Sequence, residues 1–446
     1  MSAPPGPRGR LLSGNLAAYE ADRLGFLLDA RDRYGGLVAF DRRTTIVNDA
    51  GLAREVLRND ALVVRESFLQ RRLSTGEIRQ ALEMRRFLNP ALRRARVAGV
   101  MGTAQAATAE LLARVHPSAG PGATVLTAPV GALEEVTART IAAHYFGPDG
   151  DHLPGAVGAL LDALSEVIGN PFAPPASWPT RARGRIRRAH AHLQGLVTDL
   201  LVRRLATPSR YADAAAEIAG AAHEARIASD RVADLVIGSL LAAHRVPAAA
   251  AAWALMLLAD HPEVQTSLGQ EAARFDIDVR EGHRAAAADY PCALAVVLET
   301  LRLFPPTWVL SRFATESLEL GGCTFGAGQH FLVSPYVIHR DEQNFNCATS
   351  FVPDRWSEAT RPRATYLPYG HGLHGCPGSD LATSMLVAII LTMVGRCQVR
   401  RGPGSVRADA RTTLQPAGLS LRLSSGGGVL ALLAGGGAEP LPRSLA

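Results

Sequence analysis

The segment that could do the most chemistry is Tyr369-Gly370-His371-Gly372-Leu373-His374-Gly375-Cys376-Pro377-Gly378. Four glycines in ten residues call for left-handed backbone or for close approach to something flat. Cys376 stands just ahead of a stretch patterned as a helix, with Pro377 as a plausible first helical residue. A helix N-terminus favours negative charge, and so favours a thiolate over a thiol. A thiolate in a glycine-lined loop is what a heme iron needs as an axial donor. Two other readings stand beside this one. Cys376 could be a buried structural cysteine in a glycine-rich turn, or His371 and His374 could belong to a metal site.

The segment resembles the heme-binding loop of cytochromes P450. It has an aromatic residue, Gly-x-Gly, a basic residue two before the cysteine and a glycine two after it, followed by Leu381-Ala382. Tyr369 stands where phenylalanine is usual. The resemblance implies heme b as cofactor, Cys376 as the iron ligand, His374 on a heme propionate, and Tyr369, Gly370 and Gly378 framing the cofactor.

Further matches follow the same order along the chain. Glu299 and Arg302 are three apart in a helical stretch and share a face, which alone is a common helical ion pair. Their context is Leu303-Phe304-Pro305-Pro306, then Arg312, then Phe351-Val352-Pro353-Asp354-Arg355-Trp356, which resembles the family's Pro-Glu-Arg-Phe segment. The resemblance makes Glu299, Arg302 and Arg355 a buried structural triad, and a buried arginine does need carboxylate partners to offset desolvation. It places Arg312 and Arg85 on the heme propionates. By itself Arg85 is equally well a solvated helix arginine. The Trp or His that precedes it in the family is Ala81 here, so one heme contact is expected to be missing.

Residues 242–253, Ala-Ala-His-Arg-Val-Pro-Ala-Ala-Ala-Ala-Ala-Trp, match the helix that crosses the heme in that family. The usual run there is Ala-Gly-x-acid-Thr-Thr, and its acid–alcohol pair relays protons. Arg245 replaces the acid, Val246 the first threonine and Pro247 the second. Valine has no hydroxyl, and a guanidinium keeps its proton through the neutral range. Pro247 also removes a helix hydrogen bond and is expected to sustain a local kink.

His244, Arg245 and Val246 are therefore the candidate catalytic positions, and several readings compete. Arg245 could anchor an anionic substrate, or point outward to a distant carboxylate. The chemistry could be a redox-neutral rearrangement, nitrogen transfer from an N–O bond, or peroxide use. Alternatively, an ordinary ferredoxin-dependent monooxygenation could take protons from substrate or water. A non-catalytic partner protein is a further alternative, although such proteins typically lack the axial cysteine that Cys376 retains.

The elements that must position these residues read as mainly α with a small β part, the heme lying between the central helix and the cysteine loop. Glu20–Tyr34 is helical in pattern, Leu37–Phe40 and Thr45–Val47 strand-like, and Leu52–Ala272 helical almost throughout, broken by a loop at 170–175. Strands are expected at Leu318–Leu320 and Phe331–Ser334, with Gly326 and Gly328 turning between them, and near Thr412–Leu414 and Leu419–Leu423. A helix is expected from Pro377 to about Val394. Residues 1–423 are read as one domain, and 424–446 as a weakly ordered glycine-rich tail.

The substrate pocket is expected between Ala61–Thr75, Ile168–Pro179, the Arg245 helix and Thr307-Trp308-Val309. With 47% hydrophobic and 20% charged residues the chain is globular. Its net charge of +6 is spread along the sequence, without the basic, aromatic-interleaved stripe of a nucleic-acid binder. The uncharged run Ala248–Ala259 is too short to span a bilayer. Five unpaired, widely spaced cysteines fit a reducing cytoplasm. The expected partners are a small, mostly apolar metabolite and, if oxygen is used, a ferredoxin and its reductase. The expected state is a monomer.

Overall fold

Ala, Leu, Arg and Glu are strong helix formers, and where they dominate the chain winds into long helices. The computed structural model describes residues 3–9, 14–63, 80, 82–92, 94–115, 123–167, 180–357 and 364–424. Its principal helices are α1 (Arg94–Val115), α2 (Pro129–Phe146), α3 (Leu153–Ser165), α4 (Arg181–Ala206), α5 (Ser229–Asp260), α6 (Pro291–Leu303) and α7 (Ser379–Arg396).

Helix α5 is the axis of the body. Every residue from Pro247 to Leu258 is buried, because α2, α4, α6 and α7 all pack on it. Helix α7 is likewise buried on all sides from Ser384 to Gly395, as an all-round apolar helix must be. These two helices are long and apolar enough to cross a membrane, yet 61% and 72% of their apolar windows are buried inside the protein. They are core helices.

The β part is small and divided. A five-stranded sheet runs in the order Leu37–Ala39, Thr44–Val47, His330–Val333, Leu310–Ala314, Leu62–Val63. Within it Ile46 is paired with Leu332 in the one parallel pairing. A three-stranded sheet joins Thr124–Leu126, Leu421–Ser424 and Gln398–Arg401.

Several expectations are corrected in detail. The N-terminal helical stretch is two helices, Leu16–Ala21 and Arg23–Tyr34. They divide at Asp22, whose side chain caps the second by accepting the Gly25 N–H at 3.0 Å. Leu318–Leu320 pairs not with the strand after Gly328 but with Cys323–Phe325. The hairpin turns at Gly321-Gly322, both left-handed with φ of 56° and 74°. Residues 411–413 form a bend, and the strands there are Arg407–Asp409 and Gln415–Ala417. The glycine-rich tail from 425 onward lies outside the described residues.

Candidate functional site

The cysteine loop is shaped by two left-handed glycines. Gly370 and Gly372 have φ of 70° and 71°. A Cβ on Gly372 would meet the Leu57 carbonyl oxygen at 2.4 Å, so the site demands glycine on both counts. The Gly370 N–H donates to the Leu367 carbonyl at 3.1 Å, and the Cys376 N–H to the Tyr369 carbonyl at 2.8 Å. The Tyr369 hydroxyl is 2.8 Å from Thr383 Oγ1, which ties the loop to α7.

One expectation changes here. Pro377 and Gly378 form a turn and α7 begins only at Ser379, so Pro377 is not a helical residue. Cys376 is accessible. Although the residue as a whole is exposed, neighbouring groups desolvate its thiol and raise the pKa, while the Gly378 N–H and the Arg85 charge pull it down. The Gly378 N–H and Arg85 thus favour the thiolate, and burial outweighs them.

Arg85, in the 3-10 turn Arg85–Leu88, donates to the Leu373 carbonyl at 3.0 Å and the Gly375 carbonyl at 2.7 Å. Arg312 lies buried on the strand Leu310–Ala314. Its Nη1 donates to the Ser311 carbonyl at 2.9 Å. Its buried Nε has no hydrogen-bond partner among the described residues. Burial, then Arg85, lowers its pKa to about 10. Burial, then Arg312 and Arg85, lowers His374 to about 4. Three cation-forming side chains thus crowd one another beside Cys376. A cluster that repels itself and holds an orphaned buried donor fits an anion between its members, as the two carboxylates of a heme would provide. The residues present fit that cofactor.

Behind the loop lies a saturated ionic cluster. Glu299 and Arg302 are wholly buried and joined at 2.8 Å. Glu299 accepts from Arg302 Nε (2.9 Å) and Nη2 (2.8 Å), Arg355 Nε (3.0 Å), the Val352 N–H (2.9 Å) and Trp356 Nε1 (2.9 Å). Arg302 spends its remaining donors on the carbonyls of His339 (2.8 Å), Ala348 (2.5 Å) and Ser350 (2.8 Å). The structure therefore brings Glu299, Arg302 and Arg355 together. The parts played by Trp356 and His339 were not read from sequence.

The helix that carries the candidate catalytic positions is different. Helix α5 runs unbroken through Pro247, which cannot donate to the Ala243 carbonyl. The Thr137 hydroxyl of α2 instead donates to the neighbouring His244 carbonyl at 2.6 Å. Near this turn Ala242 is exposed and Ala243 and Val246 half-buried, so the three present a small apolar patch. Arg245 turns to α3, donating to Asp162 (2.5 Å), Ser165 Oγ (2.6 Å) and the Leu161 carbonyl (3.4 Å). Glu134 of α2 lies 3.6 Å from its Nε. Burial raises Glu134, against the pull of Arg245.

His244 is buried, with an Nδ1 that has no partner among the described residues. Burial, then Arg245, holds its pKa down at about 4. Of the expected pocket walls, Thr307 is exposed and Val309 half-buried. Trp308 is buried and bonded to the Thr412 carbonyl at 3.1 Å. Ala81, the expected wall residues 64–75 and all of Ile168–Pro179 lie outside the described residues.

A family model described as "Cytochrome P450" matches residues 4–421. The chain is 30% identical over 236 residues to cyclooctat-9-en-7-ol 5-monooxygenase of Streptomyces melanosporofaciens, covering 51% of this chain and 50% of that one. It is 35% identical over 187 residues to cyclooctatin synthase of the same organism, covering 40% and 39%. Pentalenene oxygenase of Streptomyces avermitilis is 26% identical over 254 residues, covering 55% and 56%. The chain matches only about half of these relatives' lengths.

Proposed function

The chain belongs to the cytochrome P450 family, and from that premise we propose that it is a cytoplasmic heme-thiolate enzyme of secondary metabolism whose reaction departs from the usual oxygen-driven course. Its substrate is a small, mostly apolar metabolite. Relatives named for cyclooctat-9-en-7-ol and pentalenene support that class, as does the apolar patch of Ala242, Ala243 and Val246.

Cys376 is the axial ligand in this reading, and Arg85, Arg312 and His374 hold the propionates. Bound heme supplies a redox-active iron, and with it the capacity to activate dioxygen, a peroxide or a weak N–O bond. The chain's own part is to seat that group, exclude water along α5 and hold the substrate against an apolar wall.

One observation carries the departure: nothing on the turn 244–247 is placed to hand over a proton. The Arg245 guanidinium is drawn away to Asp162 and Ser165. Val246 has no hydroxyl. His244, held near 4, carries no transferable extra proton at neutral pH. Redox-neutral rearrangement, nitrogen transfer and peroxide use all lighten the demand on such a relay. The names of two relatives, a monooxygenase and an oxygenase, favour a second reading. In it, a ferredoxin-dependent oxygenation takes its protons from substrate or water.

The readings separate when host-extract metabolites are offered to the purified protein under three regimes and followed by mass spectrometry. These are anaerobic without reductant, peroxide alone, and oxygen with a ferredoxin and its reductase. Product in either of the first two supports the departure. Product only in the third overturns it in favour of the oxygenase.

A further inference from the structure

His339 belongs to neither the cysteine loop nor the acid–base inventory of the site, yet it is wholly buried. Its neighbour on one side is Arg302. The Arg302 Nη1 donates to the His339 carbonyl at 2.8 Å, and the His339 ring Nδ1 lies 3.1 Å from the Arg302 carbonyl. A carbonyl only accepts, so Nδ1 carries the ring proton and Nε2 is left with its lone pair. That lone pair accepts the Leu367 backbone N–H at 2.8 Å. The ring also stacks on Tyr366, with centroids 5.5 Å apart and planes 27° from parallel.

Leu367 opens the turn whose carbonyl takes the Gly370 N–H, and Tyr369, inside that turn, takes the Cys376 N–H. A continuous path of hydrogen bonds and short backbone runs therefore leads from Glu299 through Arg302, His339, Leu367 and Tyr369 to Cys376. Arg355 fixes the strap around residues 346–356. The imidazole joins the cluster to the loop through backbone hydrogen bonds at both ring nitrogens, alongside the ring contact of Trp356 with Tyr366.

We propose that His339 is a positioning residue for the Cys376 thiolate. It transmits the rigidity of the Glu299–Arg302 cluster to the backbone that sets where the sulfur sits. Without the Nε2 acceptor, the buried Leu367 N–H would lack its partner and the turn at 367–370 would relax. The inference rests on Cys376 being the axial ligand.

The test compares His339→Phe and His339→Gln in the heme-loaded protein. Phenylalanine keeps the ring and its stack on Tyr366 but removes the acceptor. Glutamine loses the ring but offers a carbonyl oxygen to the Leu367 N–H. The readouts are the spectrum of the reduced CO complex and amide exchange at Leu367 and Gly370. His339→Phe is expected to lose at least half of the thiolate-type band and to speed exchange at both amides tenfold or more, while His339→Gln stays within a factor of two of wild type. A full thiolate band and unchanged exchange in His339→Phe overturn the proposal.

If His339→Phe does not load heme, His339→Gln decides alone. A thiolate band and Leu367 exchange like wild type support the role, and a lost band with slow Leu367 exchange overturns it. Cys376→Ala in parallel separates the two claims. A thiolate band surviving that change sinks the ligand assignment, whereas a band lost in Cys376→Ala but intact in His339→Phe sinks only His339.

Discussion

Glu299 and Arg245 are each the hub of a charge cluster, one tied to the cysteine loop and one on α5, and they are built oppositely. Glu299 is fully buried and takes five hydrogen bonds from donors on α6 and residues 352–356. Arg245 is a quarter exposed, and its main partner Asp162 presents 76% of its side chain to solvent. Around Glu299 the buried donors have acceptors. Around Arg245 the helix lacks the N–H of Pro247, and His244 Nδ1 has no partner among the described residues. The frame behind the cysteine is over-determined, whereas Arg245 on α5 is held by partly exposed surface charges. Seating a thiolate and delivering protons are separate physical problems, and in the proposed reading this chain keeps the solution to the first while altering the second.

That contrast can be broken outright at Cys376. Cys376→Ala is expected to abolish the thiolate-type band of the reduced CO complex, and an unchanged spectrum would remove the frame's purpose. Next in size is Glu299→Gln, which leaves Arg302 buried beside a neutral partner. It should cost about 3–5 kcal/mol in a denaturant titration. A loss below 1 kcal/mol would show that the cluster is not the rigid side.

Acid should strain both clusters, since each holds one histidine whose pKa burial has lowered. The folded pKa is about 4 for His244 and about 3 for His339, against an ordinary 6.5. Below pH 6.5 the unfolded chain takes up protons that the folded protein refuses. Stability is therefore complete above that pH and falls as pH drops toward 4. Each histidine contributes a loss on the order of 3 kcal/mol. Urea midpoints at pH 7 and pH 4.5 for wild type, His244→Gln and His339→Gln would apportion the loss, each variant being less acid-sensitive.

The smallest effect belongs to Arg245. A double-mutant cycle with Asp162→Ala should give a coupling of about 0.5–1 kcal/mol, as for a half-exposed pair. Arg245→Ala should leave substrate-induced spectral shifts unchanged. Weakened binding would instead return Arg245 to the substrate.

The cysteine side was the more legible in sequence because its signals are local. The loop from Tyr369 to Gly378 is ten consecutive residues, and Glu299 and Arg302 share one helical turn. The destination of Arg245 was not legible. Asp162 and Glu134 sit on other helices, 83 and 111 residues away in sequence, and no periodicity announces which carboxylate a long side chain will reach. His339 escaped for a related reason. It follows the apolar run Tyr336-Val337-Ile338, and only the tertiary fold shows that both ring nitrogens meet backbone. Strands Leu62–Val63 and Thr124–Leu126 are two and three residues long, too short to imprint an alternation on a helical background.

Pro247 and the Arg245–Asp162 contact also bear on how this helix could change over evolutionary time. Putting an acid back at position 245 would set it against Asp162 and Glu134, two carboxylates that now face a cation, and like charges so placed repel. Putting threonine back at 246 would leave Pro247 in place, with the Ala243 carbonyl still denied its helical donor. No single replacement restores an acid–alcohol pair without opening a new conflict. Such a pair would be accommodated best if the carboxylates on α2 and α3 changed with it.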